Sequence, residues 1–499
     1  MCSTKLATSA ILNRVMAMDK QRPIAGRARE QAILHEVLAS ARPEFLGLYG
    51  RRRVGKTFLV RAFFGPRAHV FEVTGRYNAT LADSLRIFAE ATADAFHAGA
   101  ELAAPASWHE AFRLLQRELE GVRDRKKKWV LFFDELPWLA THKSGCREEL
   151  EHFWNAWCSK QPNLILIVCG SAASWMLENV IHAHGGLHNR LTQTMRLMPL
   201  SLSEVLELLA NRGVKLTRRQ AIELYLALGG VPYYLDLVPR GMSVAQAIDL
   251  LCFRPDGPLV HEFDHLFASL FSDSELYRRV TSALVRQKRG TSRNELLASV
   301  GLKSGGGANR ILRNLEEAGF IRTVIPFGRT SRDRYYRLVD EFCLFHLHWI
   351  ARRHAKKSGD WSTLRTTPRF ATWSGLAFES LCLKHVERIE QALGIAGVRT
   401  EASSWQAVGS AEAQGAQIDL LIDRADDVIS VCELKHTVNP FVITKRYAAE
   451  LRRNLAVFQS STGTRKGLQL VLVTTSGLVD NAHAREIVDR HVDAEAFFA

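Results

Sequence analysis

The sequence predicts an α/β chain in successive parts, and three observations carry that prediction. Short apolar runs alternate with amphipathic helical patterns through the first 200 residues, the rhythm of a parallel sheet covered on both faces. Helical patterns alone fill residues 201–275, and a basic stretch of short helices and a hairpin follows at 276–340. From about Phe370 the chain returns to mixed helix and strand. At 499 residues, 47% apolar and 24% charged, it has a globular composition and enough length for about three cores.

The formal net charge is +14 and the pI about 9.5. That balance favours a polyanionic partner, nucleic acid first and an anionic membrane surface second. Eight cysteines are scattered with no CxxC pair, which fits a reduced, cytoplasmic protein without structural zinc. No apolar run reaches the length of a membrane span. Residues 1–20 lack a signal peptide's continuous apolar stretch and are expected to form a flexible leader.

The elements follow in order. Pro23 to Leu38 reads as a turn and an amphipathic helix. FLGLYG (Phe45 to Gly50) is a strand running into a glycine turn, and TFLVRAFF continues as helix. HVFEVT (His69 to Thr74) is a second strand, with helical patterns at Leu81 to Phe96 and Trp108 to Leu119. WVLFFDE and NLILIVCGS are apolar enough to be buried strands.

The turn after the first strand carries the chemistry. Gly50-Arg51-Arg52-Arg53-Val54-Gly55-Lys56-Thr57 fits GxxxxGK[ST]. Gly50 and Gly55 let backbone N–H groups wrap a phosphate, and the following helix adds its positive end. Lys56 would reach the β/γ-phosphates of ATP and the Thr57 hydroxyl would ligate Mg²⁺. Asp134, ending WVLFFD, supplies the second Mg²⁺ carboxylate, and Glu135 beside it is the candidate base for the attacking water. Capping of the next helix is the alternative for this Asp-Glu pair. Ser171 is a candidate polar contact to the γ-phosphate or the water, or else a helix cap. Arg190 is a candidate arginine finger, or else an exposed ion pair.

GRAREQAIL, GRRRVGKTFLV, FFDELPWL, CGSAASWM and GGVPYYL, in that order, resemble the prokaryotic, often archaeal, AAA+-type ATPases related to the STAND switch NTPases. The resemblance covers about residues 21–270. It implies a P-loop ATPase domain at 21–200 and a helical lid at 201–275. It also implies that Arg27 and Glu30 lie near the nucleotide edge, and that Pro232 touches the nucleotide from the lid. The three consecutive arginines are typical of the resemblance and have no derivable chemistry.

Residues 276–340 carry 14 Lys/Arg against 5 Asp/Glu, an excess of nine. Helices at Leu276 to Arg286, Ser292 to Val300 and Ala308 to Ala318, then a hairpin, look like a winged helix-turn-helix. Lys303, Asn309, Arg310 and Arg313 are expected near DNA, through phosphates first, with Arg329, Arg332 and Arg334 of the hairpin nearby. Packing between domains is the alternative. An apolar, basic helical connector spans 341–369.

The last part, 370–499, contains GAQIDLLIDRADDVISVCELKHT. Two strands, Gln417 to Asp423 and Val428 to Lys435, flank a polar turn, and period two places Glu433 and Lys435 on one face. If Asp419 lies opposite Glu433, two carboxylates and an ammonium converge. Asp419 and Glu433 would hold Mg²⁺ on a scissile phosphate, with Lys435 orienting or deprotonating water. That register pairs Asp423 with Ile429 and leaves residues 424–428 as the loop; a shift by one turns Glu433 to the other face unless a bulge restores parity. The pattern resembles the PD-(D/E)xK nucleases, with Ile418 where the usual proline stands and Glu379 matching the extra acidic residue of the first helix. A cross-strand ion pair is the structural alternative.

The favoured reading is an ATP-controlled, Mg²⁺-dependent nuclease acting on DNA. Its rival is a nucleotide-dependent DNA- or protein-binding switch whose nuclease-like domain only docks, and a weaker third is a membrane-surface ATPase. Self-assembly stays open as a partner call, and no protein partner is named.

Overall fold

EFLGL, Glu44 to Leu48, is buried residue by residue, as a strand covered on both faces must be. It belongs to β1 (Glu44–Tyr49), and β2 (His69–Thr74), β3 (Trp129–Asp134), β4 (Leu164–Gly170) and β5 (Gln193–Arg196) complete its sheet. The order is β2-β3-β4-β1-β5, and every pairing is parallel. The computed structural model describes residues 22–122, 126–181, 188–285, 290–353, 361–407 and 415–499. The expected leader lies outside them. Two compact units result, Met1–Pro199 and Leu200–Ala499.

In the first unit, strand alternation feeds two cores. Phe45, Leu131, Phe133, Leu166 and Val168 pack on one face against Phe88, Trp108 and Phe112. Leu46, Leu48, Val130, Phe132, Ile165 and Ile167 pack on the other against Leu59 and Phe63 of the Lys56–Phe64 helix. The Leu81–Phe96 helix starts at Thr80 with a full capping box to Asp83, which satisfies two of its free N–H groups. β5 (QTMR) was not expected, because only Met195 of its four residues is buried and so no apolar run announces it.

The second unit opens with the helices that replace strands after residue 200, as expected. Its basic stretch forms helices Ser274–Val285, Arg293–Ser299 and Gly306–Glu317. A small antiparallel sheet follows, of β6 (Thr291–Ser292), β7 (Ile321–Val324) and β8 (Tyr335–Leu338), in the order β6-β8-β7. Ser292 is not the first helical residue but the N-cap, boxed with Glu295. The C-terminal sheet contains β9 (Thr400–Ala407), β10 (Ala416–Arg424), β11 (Val428–Lys435), β12 (Gly467–Thr474) and β13 (Arg490–Asp493), ordered β13-β12-β11-β10-β9. β9, β10 and β11 are antiparallel, and β11, β12 and β13 parallel. β9 (TEASSWQA) and β13 (RHVD) are mostly polar and gave no sequence signal.

Seven cysteines are free and buried; Cys2 lies outside the described residues. Among the described residues no helix is long and apolar enough to cross a membrane.

Candidate functional site

Two sites emerge, one in each unit. In the first, the sheet order sets the C-terminal ends of β3, β4 and β1 side by side, the edge where α/β sheets bind ligands. β1 runs into the loop at 50–57. Gly50 has φ +153, and a Cβ there would stand 2.3 Å from the Leu197 carbonyl oxygen. Gly55 has φ +91, so both glycines are required by backbone geometry. The Lys56 ammonium is nearly buried and donates to the carbonyls of Gly50 (2.9 Å) and Arg51 (3.1 Å). It thus sits across the mouth of its own loop. Arg27 is buried and braces that loop by donating to the Val54 carbonyl at 3.2 Å, with Glu30 at 3.4 Å from its guanidinium.

The Thr57 hydroxyl donates to the Asp134 carboxylate at 2.6 Å. The two oxygens expected to share Mg²⁺ therefore touch, and this donor set suits that ion's preference for oxygen ligands beside a phosphate. Glu135 stands in left-handed backbone, φ 49. It occupies the N-cap of Leu136–Leu139 without a side-chain cap bond, so the capping alternative does not describe its carboxylate. That carboxylate instead accepts from the Ser171 N–H at 3.1 Å and from the Ser171 hydroxyl. Ser171 is not a helix cap either, since Ala172 takes that position. Arg190 is exposed at the end of the 3-10 segment His188–Arg190. Pro232 opens the short Pro232–Asp236 helix of the second unit.

The second site lies within the second unit. β10 and β11 pair Asp423 with Ile429 and Leu420 with Cys432, the register that brings Asp419 and Glu433 to equivalent positions. The turn is tighter than the five-residue loop expected. Strand geometry runs through Arg424 and Val428, leaving Ala425 to Asp427, with Asp427 left-handed at φ 61; parity is unchanged. Against β9, however, β10 has one extra residue between Ile418 and Leu421. This bulge lets Ile418 and Leu421 both enter the core beneath the Lys445–Thr462 helix. Asp419 is carried by the bulge itself, a common way to aim a side chain at a site.

Asp419, Glu433, Lys435 and Glu379 all line one cavity of about 720 Å³. Burial, then the Glu379 and Glu433 carboxylates, hold the Asp419 carboxyl well above the usual carboxylate range. Glu433 accepts from the Tyr447 hydroxyl at 2.5 Å and meets the Lys435 ammonium at 2.6 Å. Burial works against the Lys435 charge, but Glu433, Asp419 and Glu379 outweigh it and raise its pKa. A charged Lys435 beside Glu433 suits the orienting role read for it. Glu379 reaches the cavity from the Pro368–Lys384 helix and accepts from Arg337 at 3.0 Å. Crowded, partly buried carboxylates are a donor set that a divalent cation would neutralise. Among the described residues, no three His, Cys, Asp or Glu side chains stand at metal-holding spacing; Glu433 and Glu379 are bonded to Lys435 and Arg337.

Sequence reasoning missed Tyr447, Arg337 and Arg453, which also line or border this cavity. For Tyr447 a signal existed. Helical period puts Tyr447, Glu450 and Asn454 on one face of the helix that follows the ExK strand, and Glu450, Arg453 and Asn454 all line the cavity. Arg337 carried none, because only the fold brings β8 to that wall.

A family model described as an ATPase domain predominantly from Archaea matches residues 25–238. An uncharacterized protein of Methanocaldococcus jannaschii is 26% identical over 327 residues, 65% of this chain and 68% of that protein. Among solved structures, a Walker-type ATPase of Pyrococcus abyssi has a TM-score of 0.46 at 20% identity, covering 66% of this chain and 99% of its own. The ORC2 protein of Aeropyrum pernix, in ADPNP–ADP complexes, has a TM-score of 0.40 at 14% identity, covering 67% and 97%.

Proposed function

We propose, from the premise that residues 25–238 form an ATPase domain of this predominantly archaeal family, that the chain binds and hydrolyses ATP to control a metal-dependent nuclease-like site acting on DNA. Lys56 leaves the Gly50 and Arg51 carbonyls for the β/γ-phosphates, and Glu135 takes the proton of the attacking water once Ser171 releases it. Thr57 and Asp134 would hold Mg²⁺, Ser171 would contact the γ-phosphate or the water, Arg190 would steady the transferred charge, and Pro232 would meet the nucleotide.

The observation that carries the second half is the meeting of Asp419, Glu433 and Lys435 in one cavity at a bulge. Asp419, Glu433 and Glu379 would hold the metal, which supplies a Lewis acid to the scissile phosphate. The protonated Lys435 stabilises charge on that phosphate and is itself positioned by Glu433. Helices Ser274–Val285, Arg293–Ser299 and Gly306–Glu317 with their three-stranded sheet support a winged-helix reading of 276–340. Incubating the protein with plasmid and linear DNA, Mg²⁺ or Mn²⁺, with and without ATP, tests the proposal. Absence of cutting in every condition, with DNA still bound, would leave the docking-module reading in its place.

Lys303, Asn309 and Arg310 are exposed, and Arg313 shares the exposed face of the Gly306–Glu317 helix. Phosphate contact by this face predicts a steep loss of DNA affinity with salt. Arg310→Ala with Arg313→Ala should reduce the log–log salt slope by about two, measured by fluorescence anisotropy. An unchanged slope would move the DNA contact elsewhere.

A further inference from the structure

The hairpin of the basic module is clasped onto the C-terminal sheet. At its tip the Phe327 N–H donates to the Ser404 carbonyl at 2.9 Å, and the Phe327 ring lies 5.3 Å from that of Phe458. At its base Arg322 donates to the Leu383 carbonyl, and Arg337 bonds Glu379 at 3.0 Å. Tyr335 and Arg337 of β8 thereby become wall residues of the carboxylate cavity.

Arg337 differs from the module's other arginines in where its charge lies. Its side chain is 12% exposed, and that of its partner Glu379 is 20% exposed, whereas Arg329, Arg332 and Arg334 stand in solvent. Removing one partner of an ion pair this far out of water leaves the other charge uncompensated. Here the carboxylate belongs to a crowded acidic cluster, and the Arg337 charge also acts on Asp419.

We infer that Arg337 is the resident cation of the nuclease-like site: it holds Glu379 in the absence of a divalent ion, so that a metal binds against its charge and in competition with the Arg337–Glu379 pair. This rests on the nuclease-like reading of the cavity. It makes the basic module a positioning element of the site, because β8 carries Arg337 at one end and leads back to the exposed arginines of the hairpin at the other.

The test is a Mn²⁺ titration of the nucleotide-free full chain, read by electron paramagnetic resonance, with Asp419→Asn defining ions bound elsewhere. Arg337→Gln is expected to tighten the Asp419-dependent binding by at least about tenfold. A factor of that size is what a divalent ion and one positive charge at a separation of about 6 Å would give even at water's dielectric constant. Arg337→Lys, which keeps the charge, should stay within about threefold of wild type on the same argument. Unchanged or weakened Mn²⁺ affinity in a folded Arg337→Gln chain overturns the inference. If wild type and Arg337→Gln both lack Asp419-dependent Mn²⁺ binding, the nuclease-like reading itself falls. Should Arg337→Gln not fold, hydrogen exchange of wild type decides: Mn²⁺ should raise exchange in the hairpin residues 325–334, and unchanged exchange there sinks the inference.

Discussion

Glu135→Gln is expected to bind Mg·ATP about as tightly as wild type and to hydrolyse it about 10²–10⁴-fold more slowly, the usual contribution of a positioned general base. The substitution preserves shape. Its amide oxygen still accepts the Ser171 N–H that lies 3.1 Å from the carboxylate, and both residues adopt the left-handed backbone at φ 49 with similar reluctance. What disappears is basicity, at a carboxylate one residue from the Asp134–Thr57 pair. Lys56→Ala is the contrasting variant. It removes the ammonium that spans the Gly50 and Arg51 carbonyls and should lose nucleotide affinity before turnover can be measured. Binding of a fluorescent ATP analogue and single-turnover phosphate release separate the two. Undiminished release by Glu135→Gln would assign the base elsewhere.

The first unit was legible because most of its candidate residues end or follow an apolar strand. Buried strands advertise themselves as runs such as LILIVCG, fully buried in β4, and the catalytic candidates are the polar residues that end them. The loop motif needed no tertiary information, since Gly50, Gly55, Lys56 and Thr57 lie within one turn. Two details were not legible. Asp134 and Glu135 read equally well as caps, and only the Thr57 and Ser171 contacts separate those roles. β5, half exposed at the sheet edge, has no pattern to read.

The second site was legible in its strand faces but not in its surroundings. Period two puts Glu433 and Lys435 on one face and names the register that would set Asp419 opposite Glu433, but the choice between that register and a shift by one comes only with the observed pairing. The bulge at Asp419 depends on β9, a polar strand without a signal, so its position could not be read from β10. Arg337 and Tyr447 come from segments about 80 residues before and about 30 residues after Asp419, and only packing brings them to the cavity. Their arrival changes the chemistry. Arg337 pairs with Glu379 at 3.0 Å and the Tyr447 hydroxyl donates to Glu433 at 2.5 Å.

Asp419→Asn and Glu433→Gln are both expected to abolish metal-dependent DNA cutting, by at least about 10²-fold, while moving stability in opposite directions. Asp419 is a partly buried carboxyl beside two others, and its ionised form is opposed first by desolvation and then by Glu379 and Glu433. An uncharged amide of the same size removes that repulsion, and Gln417, which donates to Asp419 at 2.9 Å, can still bond the amide oxygen. The melting temperature in EDTA at pH 8 should therefore rise by about 3 °C or more. Glu433 is the reverse case. Its carboxylate compensates the largely buried Lys435 at 2.6 Å and accepts from Tyr447 at 2.5 Å, so Glu433→Gln leaves an ammonium without its counter-charge. Breaking such a pair from one side is strongly destabilising, and the melting temperature should fall by several degrees or about 5 °C. Agarose-gel cleavage of plasmid with Mn²⁺, alongside differential scanning calorimetry, reads both effects on the same preparations. If Asp419→Asn cuts like wild type, the nuclease does not reside in this cavity. If Asp419→Asn loses cutting but also loses stability, Asp419 serves the fold as a bonded acceptor, and the crowding of carboxylates is not what shapes the site.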